Sequence, residues 1–337
     1  ISWCLRPTFM LILGRVTRLF YHSCASTRGV RPFDPGIFIL VGRKKGDGVM
    51  HYDISFPHLG ITLDHVGKSV DLFGVSIAYY GIIIGMAILI GFAIATSEAK
   101  RTRQNPEDYL DMGIIGVIAG IAGARIYYVI FSWDMYKDNL LEILNIREGG
   151  LAIYGGVIAA VLTVIIAAKV KHLSAPQIFD TIALALLNGQ MLGRWGNFFN
   201  REAFGGFTNG LLAMRLQVSQ VRTSDISAEV MQHIVNYGGV DYIQVHPTFL
   251  YESLWNLCLF LLLIKFRPKK KFDGQVLGLY FLGYALGRVW IEGLRTDQLM
   301  FGPFAVSQLL SGGLIICAAI FLIRKGRQEK AKKESES

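Results

Sequence analysis

Residues 193–202 read Gly193-Arg194-Trp195-Gly196-Asn197-Phe198-Phe199-Asn200-Arg201-Glu202 and close a long apolar stretch, 178–199. They place an arginine, two amide side chains and a carboxylate at the end of that stretch. A charge in such a position is expensive in lipid and marks a functional site by default. Further along, Tyr284, Arg288, Glu292 and Arg295 are spaced four, four and three apart, so a helix stacks them on one face. A guanidinium binds phosphate bidentately and is the natural reader of a phospholipid headgroup. Arg194 and Arg288, from different segments, would clamp a phosphate and stabilise it as a leaving group. Glu202, Glu252 and Glu292 would orient the arginines or receive a proton. A single arginine near a helix end can instead snorkel to the interface, and an Arg–Glu pair can simply lock two helices. The combination of Arg194, Asn197, Glu202, Arg288 and Glu292 favours a site. His246, before Pro247, either caps the next segment or joins that site, and Arg125 either contributes to it or locks helices.

The elements that must position these groups follow from the distribution of apolar residues. The chain has 337 residues, 52% hydrophobic and 18% charged, with a mean hydropathy of +0.41; soluble domains carry about a quarter charged residues. Its apolar residues come in blocks of about 20, the length that spans a bilayer as a helix. The blocks are roughly 72–95, 109–131, 151–168, 177–199, 247–264, 274–293 and 304–323. The predicted fold is an all-α polytopic membrane protein with seven transmembrane helices. A small extracytoplasmic head, 200–245, lies between spans 4 and 5.

The net charge of +9 could suggest nucleic acid, but its placement suits a membrane. Lys100, Arg101 and Arg103 follow span 1, and Lys169 and Lys171 follow span 3. Lys265, Arg267, Lys269, Lys270 and Lys271 follow span 5, and Arg324, Lys325, Arg327, Lys330, Lys332 and Lys333 follow span 7. Basic residues are sparser in the opposite loops. The positive-inside rule then puts the N-terminus outside and the C-terminus in the cytoplasm. With that topology Arg125, Arg194, Arg288 and Glu292 lie at the outer ends of their spans, as do Tyr79, Tyr80, Tyr154, His246, Tyr251 and Glu252. Arg194 is about 8 Å from its helix end at 1.5 Å per residue. All these groups converge on the outer leaflet.

Local signals mark the elements. Asn105-Pro106-Glu107-Asp108 and Ser174-Ala175-Pro176 are helix starts. Gly81 and Gly85, Gly116 and Gly120, and Gly283 and Gly287 have the spacing of close helix contacts. Within the head, 212–221 alternates partly as a strand would, punctuated by Gly205-Gly206, Asn209-Gly210 and Gly238-Gly239. Residues 324–337 form a charged, solvated cytoplasmic tail. Residues 1–49 carry eight basic residues on the outer side, against the charge rule. Translation is therefore expected to start at Met50, the alternative being a disordered extension ahead of a domain at 50–323. Cys258 and Cys317 suit apolar packing, and neither a disulfide nor a metal is expected.

Several of these motifs occur in order along residues 52–323: Tyr79-Tyr80-Gly81, Gly123-Ala124-Arg125, Gly149-Gly150-Leu151-Ala152-Ile153-Tyr154-Gly155-Gly156 and the 193–202 stretch. His246-Pro247-Thr248-Phe249-Leu250-Tyr251-Glu252 and Tyr284-Ala285-Leu286-Gly287-Arg288-Val289-Trp290-Ile291-Glu292 follow. This arrangement closely resembles the bacterial prolipoprotein diacylglyceryl transferase family. The resemblance implies transfer of the sn-1,2-diacylglyceryl group of phosphatidylglycerol to the lipobox cysteine of a prolipoprotein signal peptide in the bacterial cell membrane. A thioether forms and glycerol 1-phosphate leaves, the first step of lipoprotein maturation, with no cofactor. By the same resemblance Arg194 and Arg288 bind the headgroup phosphate, while Asn197, Glu202, Tyr80 and Glu292 shape the pocket. Tyr284, Glu252, Arg125 and His246 are further substrate-binding candidates. Many family members carry a histidine where this chain has Tyr154. A phenol with a pKa of about 10 is a poor base at neutral pH. Either nearby arginines favour its phenolate, or the proton goes to a glutamate or to water. The rival reading, a transporter of an anionic or lipid-like solute, predicts internal repeats and midplane charges; no repeat is evident here.

Overall fold

The computed structural model describes residues 38–41, 52–146, 149–296 and 298–336. The long helices all belong to one compact unit, within Ile39–Ser337. Apart from strand β1 (Phe38–Val41), the leader at 1–49 and the start at Met50 lie outside the described residues.

Five helices are long and apolar enough to cross a membrane: α1 (Tyr79–Arg101), α2 (Pro106–Phe131), α3 (Ile153–Val170), α6 (Thr248–Phe266) and α8 (Val306–Glu336). Two more long helices, α4 (Ala175–Asn200) and α7 (Gln275–Glu292), pack among them. Helix α4 buries Asp180, Thr181 and Asn188, and these polar residues turn inward because lipid offers them no partner. Side chains such as Ile114, Ile118, Leu162, Leu261 and Leu262 stand outward on the apolar helices. The principal pairings are α2 on α3, α1 on α4, α7 on α8 and α4 on α6.

The helix starts agree with their sequence signals. Asn105 caps α2 by accepting from the Glu107 amide at 3.2 Å, with Pro106 in the first turn. Ser174 is the cap residue of α4 but hydrogen-bonds Asp273 instead. Other expectations are corrected. Residues 72–78, assigned to the first apolar block, belong to a hairpin of β4 (Ser69–Leu72) and β5 (Val75–Ala78), and the helix begins at Tyr79. The expected charged tail is helical, with 324–336 forming the end of α8. Gly283 and Gly287 do meet a neighbouring helix, at Leu259 and Trp255, whereas Gly81, Gly85 and Gly116 face open space. The tight α2–α3 contact lies instead where Gly123 meets Gly155 and Ala159.

At one end of the bundle sits an antiparallel sheet. From residue 52 onward its strands are β2 (Ile54–Phe56), β3 (Ile61–Asp64), β6 (Met214–Gln217), β7 (Val235–Tyr237) and β8 (Val240–Val245), in spatial order β3-β2-β6-β8-β7. Strand β6 falls within the 212–221 stretch, and Gly238 and Gly239, both with positive φ, turn β7 into β8. The short α5 (Ala228–Gln232) covers one side. Ile54, Leu216, Val230, Ile243 and Val245 form a core with Phe198 of α4 and Phe249 of α6. That shared core fixes the ends of α4 and α6 against the sheet. It also brings residues 52–64 into a head that hydropathy alone confines to 200–245.

Candidate functional site

Helices α4, α6 and α7 each deliver charged groups to the sheet end of the bundle. Arg194 lies on the last turns of α4, Glu252 on the second turn of α6, and Arg288 and Glu292 on the last turns of α7. Glu252 is buried and bridges both arginines: Oε1 is 2.6 Å from Arg194 Nη2, and Oε2 accepts from Arg288 Nη1 at 3.0 Å. Arg288 Nη2 also lies 2.5 Å from Glu292 Oε2. The contacts at Glu252 Oε1 and Glu292 Oε2 are ion pairs by distance, yet neither buried oxygen receives an aligned hydrogen bond.

From Arg194 the network continues along the chain. Arg194 approaches Asn197 Oδ1 at 3.4 Å, and the Asn197 amide donates to Glu202 at 3.0 Å, joined there by Asn200 at 3.3 Å. The Tyr80 ring packs on Gly196, where an added Cβ would stand 2.5 Å from it. Only glycine lets α1 and α4 close at this turn. Tyr284 lies beside Arg194 and stacks on Tyr280, whose hydroxyl accepts from Gln190 at 2.9 Å. Gln190 and Tyr280 were not among the expected site residues, although each stands four residues before one that was, Arg194 and Tyr284. The i, i+4 spacing was the available signal.

Three candidates sit apart from this network. Arg125 is buried, and all five of its N–H donors are engaged by the backbone carbonyls of Glu142, Ile143, Asn145, Gly149 and Gly150, at 2.7–3.1 Å. It therefore organises the loop between α2 and α3 and has no donor left for a substrate. Of the two expected roles this is the structural one, with the loop as its target. Tyr154, in the first turn of α3, is 57% exposed and faces Tyr127 at 6.5 Å between ring centroids. His246 hydrogen-bonds Tyr251 at 3.2 Å, and burial pushes its imidazole below its usual pKa.

The backbone at His246 helps close the head onto the helices. Gly205 donates to the His246 carbonyl at 2.9 Å, and Gly206 donates to the Leu294 carbonyl at 2.9 Å. A Cβ on Gly205 would stand 2.6 Å from the Leu294 oxygen. The segment after Glu202 is thus threaded between the ends of α6 and α7, while Glu202 itself is held by the side-chain amides of Asn197 and Asn200.

The apolar helices, with partly buried arginines set on the buried Glu252 and Glu292 at the sheet end, define a membrane protein with a polar cluster among its helices. Residues 68–324 match the prolipoprotein diacylglyceryl transferase family, and the chain belongs to that family. Among its relatives, the phosphatidylglycerol–prolipoprotein diacylglyceryl transferase of Bacillus mycoides (strain KBAB4) is 40% identical over 256 residues, covering 74% of this chain and 88% of that protein. The protein of the same name from Clostridioides difficile (strain 630) is 41% identical over 250 residues, covering 73% and 90%.

Proposed function

We propose that this chain transfers the diacylglyceryl group of phosphatidylglycerol to the lipobox cysteine of prolipoproteins, releasing glycerol 1-phosphate. Family membership supports the reaction. The observation that carries the site is the bridging of Arg194 and Arg288 by one buried carboxylate, Glu252, which holds two guanidinium groups at a common point. In this reading the cysteine sulfur attacks the glycerol carbon, the carbon–oxygen bond to phosphate breaks, and the electron pair leaves on the phosphate. The diester monoanion becomes a monoester dianion, and the arginines stabilise the added charge.

The thiol proton goes to a glutamate. Arg194, Arg288, Glu252 and Glu292 are together neutral when ionised, and the incoming phosphodiester adds one negative charge. Protonating one carboxylate as the phosphate gains charge keeps the cluster in balance. The unaligned oxygens of Glu252 and Glu292 are the acceptors in reach of the arginine-bound phosphate. Tyr154 shapes the pocket rim, where it stands exposed beside Tyr127.

The proposed topology adds α4 and α7 to the five apolar helices, making seven spans. At 1.5 Å per residue they extend about 39 and 27 Å, the first longer than the roughly 30 Å hydrocarbon core and the second a few Å short of it, within the range of natural spans. Lysines and arginines at the end opposite the sheet support a topology with that end in the cytoplasm and the sheet outside, in which the site lies at the outer leaflet of the bacterial cell membrane. The test is a reconstituted reaction of phosphatidylglycerol with a lipobox peptide, read by peptide mass and glycerol 1-phosphate release. Wild type forms both products, Arg194→Ala forms neither, and Arg194→Lys recovers part of the activity. Folded wild type that forms no thioether would overturn the reading.

A further inference from the structure

Beside the head, away from the Arg194–Glu252–Arg288 cluster, lies an open cleft of about 430 Å³, lined by Val66, Lys68, Arg201, Ser219, Gln220 and Arg222 among others. Three of these residues are cationic. Arg201 is the unusual one, because its side chain is only 2% exposed and its backbone is left-handed, with φ of 56° at the end of α4. Its terminal nitrogens donate to the carbonyls of Phe199 and Val66, while its Nε is buried without a partner. The nearest carboxylate is Asp53, at 3.8 Å. The oxygens of Asp53 are already engaged by the Val66 amide and the Gln220 side chain, each at 2.8 Å. Lys68 reaches the Gln220 carbonyl at 3.3 Å, and Arg222 is exposed with no ion pair among the described residues. Three positive charges thus face one negative charge that is already in use, and burial pulls the Arg201 guanidinium below its ordinary pKa.

The orphaned atoms define what would complete the cleft. Arg201 Nε is a donor without an acceptor, and Gln220 Oε1 is a buried acceptor without a donor. A buried polar atom left unpaired is costly, so a ligand that satisfies both is favoured twice. Such a ligand brings anionic oxygens for Lys68, Arg201 and Arg222 and a hydroxyl for Gln220. We infer that this cleft binds a polyol phosphate, at a site separate from the reaction centre. The group belongs either to the headgroup of a glycerol phospholipid or to a free polyol phosphate. The donor set alone carries this inference, which does not depend on the proposed reaction.

The test measures binding stoichiometry by calorimetry on the full chain in a phosphate-free maltoside detergent. The probes are glycerol 1-phosphate and dihexanoyl phosphatidylglycerol. The Lys68→Ala/Arg222→Ala protein removes two exposed charges, and its melting temperature reports whether it is folded. One probe should bind wild type at the cleft, that site should be lost in Lys68→Ala/Arg222→Ala, and it should persist in Arg194→Ala/Arg288→Ala. Binding of glycerol 1-phosphate there identifies a free ligand, whereas binding of dihexanoyl phosphatidylglycerol alone identifies a lipid headgroup. Inorganic phosphate, which lacks the polyol hydroxyls, should bind at least tenfold more weakly. The inference falls if neither probe binds, if the folded cleft variant binds as wild type does, or if Arg194→Ala/Arg288→Ala abolishes all binding. In that last case the reaction centre would be the sole phosphate site, and the proposed function would be untouched.

Discussion

The two ends of the helix bundle both carry buried ion pairs, but they are finished differently. At the end away from the sheet, Glu98 is gripped by Arg101 at 2.5 and 2.9 Å and by Arg267. Nearby, Asp180 accepts from the amides of Leu277 and Gly274 and from Lys270, at 2.8, 2.9 and 3.1 Å. Every carboxylate oxygen there has an aligned donor. At the sheet end Glu252 and Glu292 sit equally deep, yet each keeps one oxygen paired only by proximity. Buried charges that serve to lock helices are saturated, because an unmet oxygen is costly. In the proposed reaction the two oxygens without an aligned donor at the sheet end are the proton acceptors, a use that the saturated carboxylates at the other end do not allow.

The contrast between the ends is tested most strongly by exchanging what each one loses. Arg288→Ala should lower turnover per folded molecule by about 10²–10³-fold, as removal of one charge-stabilising donor does elsewhere, and it should also lower the melting temperature, because Glu252 and Glu292 are left buried without that partner. Glu98→Ala should lower the melting temperature alone. Breaking a fully buried pair costs about 3–5 kcal/mol. Here the arginine partners are partly exposed, so a loss of about 2–3 kcal/mol is expected. It would be read by thermal unfolding, with turnover per folded molecule unchanged. If Glu98→Ala abolished turnover while stability held, the distinction between the ends would be wrong.

A smaller effect sharpens which group takes the proton. If a glutamate of the cluster is the acceptor, Tyr154→Phe should reduce turnover by less than tenfold, about 1.4 kcal/mol. A loss near that of Arg288→Ala would move the proton to the phenol and require Tyr154 to swing inward from its place beside Tyr127.

The helices and the charged cluster were largely legible because both rest on local patterns. Apolar block length gives the spans, and i, i+4 spacing gives the stack of Tyr284, Arg288 and Glu292. What was not legible depends on partners distant in sequence. Nothing local says that Ile54 and Ser55 pair with Leu216 and Arg215, so the head looked confined to 200–245. The same holds for Arg125. Its sequence context matches that of Arg194, a guanidinium near a helix end, and only the positions of five distant carbonyls separate a loop organiser from a site residue. Hydropathy also ran residues 72–78 into the helix that follows, although Ser69-Val70-Asp71-Leu72 and Val75-Ser76-Ile77-Ala78 alternate as strands do around the Phe73-Gly74 turn.

The smallest predicted effect concerns His246, at the seam between the sheet and the bundle. Burial disfavours its charged form, which lowers its pKa in the folded protein below the ordinary value of 6.5. Between those two values the unfolded chain binds more protons than the folded one, so stability falls as the pH falls. The contribution is fully present above pH 6.5, declines as pH drops through 6.5 toward the folded value, and levels off below it. His246→Gln, which keeps a polar side chain beside Tyr251, should remove this part of the pH dependence between pH 7 and pH 5. The carboxylates at both ends of the bundle would continue to titrate as before. Identical pH profiles for the two proteins would mean that His246 is solvated when folded. The seam formed by Gly205, His246 and Leu294 would then be looser than its hydrogen bonds imply, and the sheet end would differ from the opposite end in mobility as well as in charge pairing.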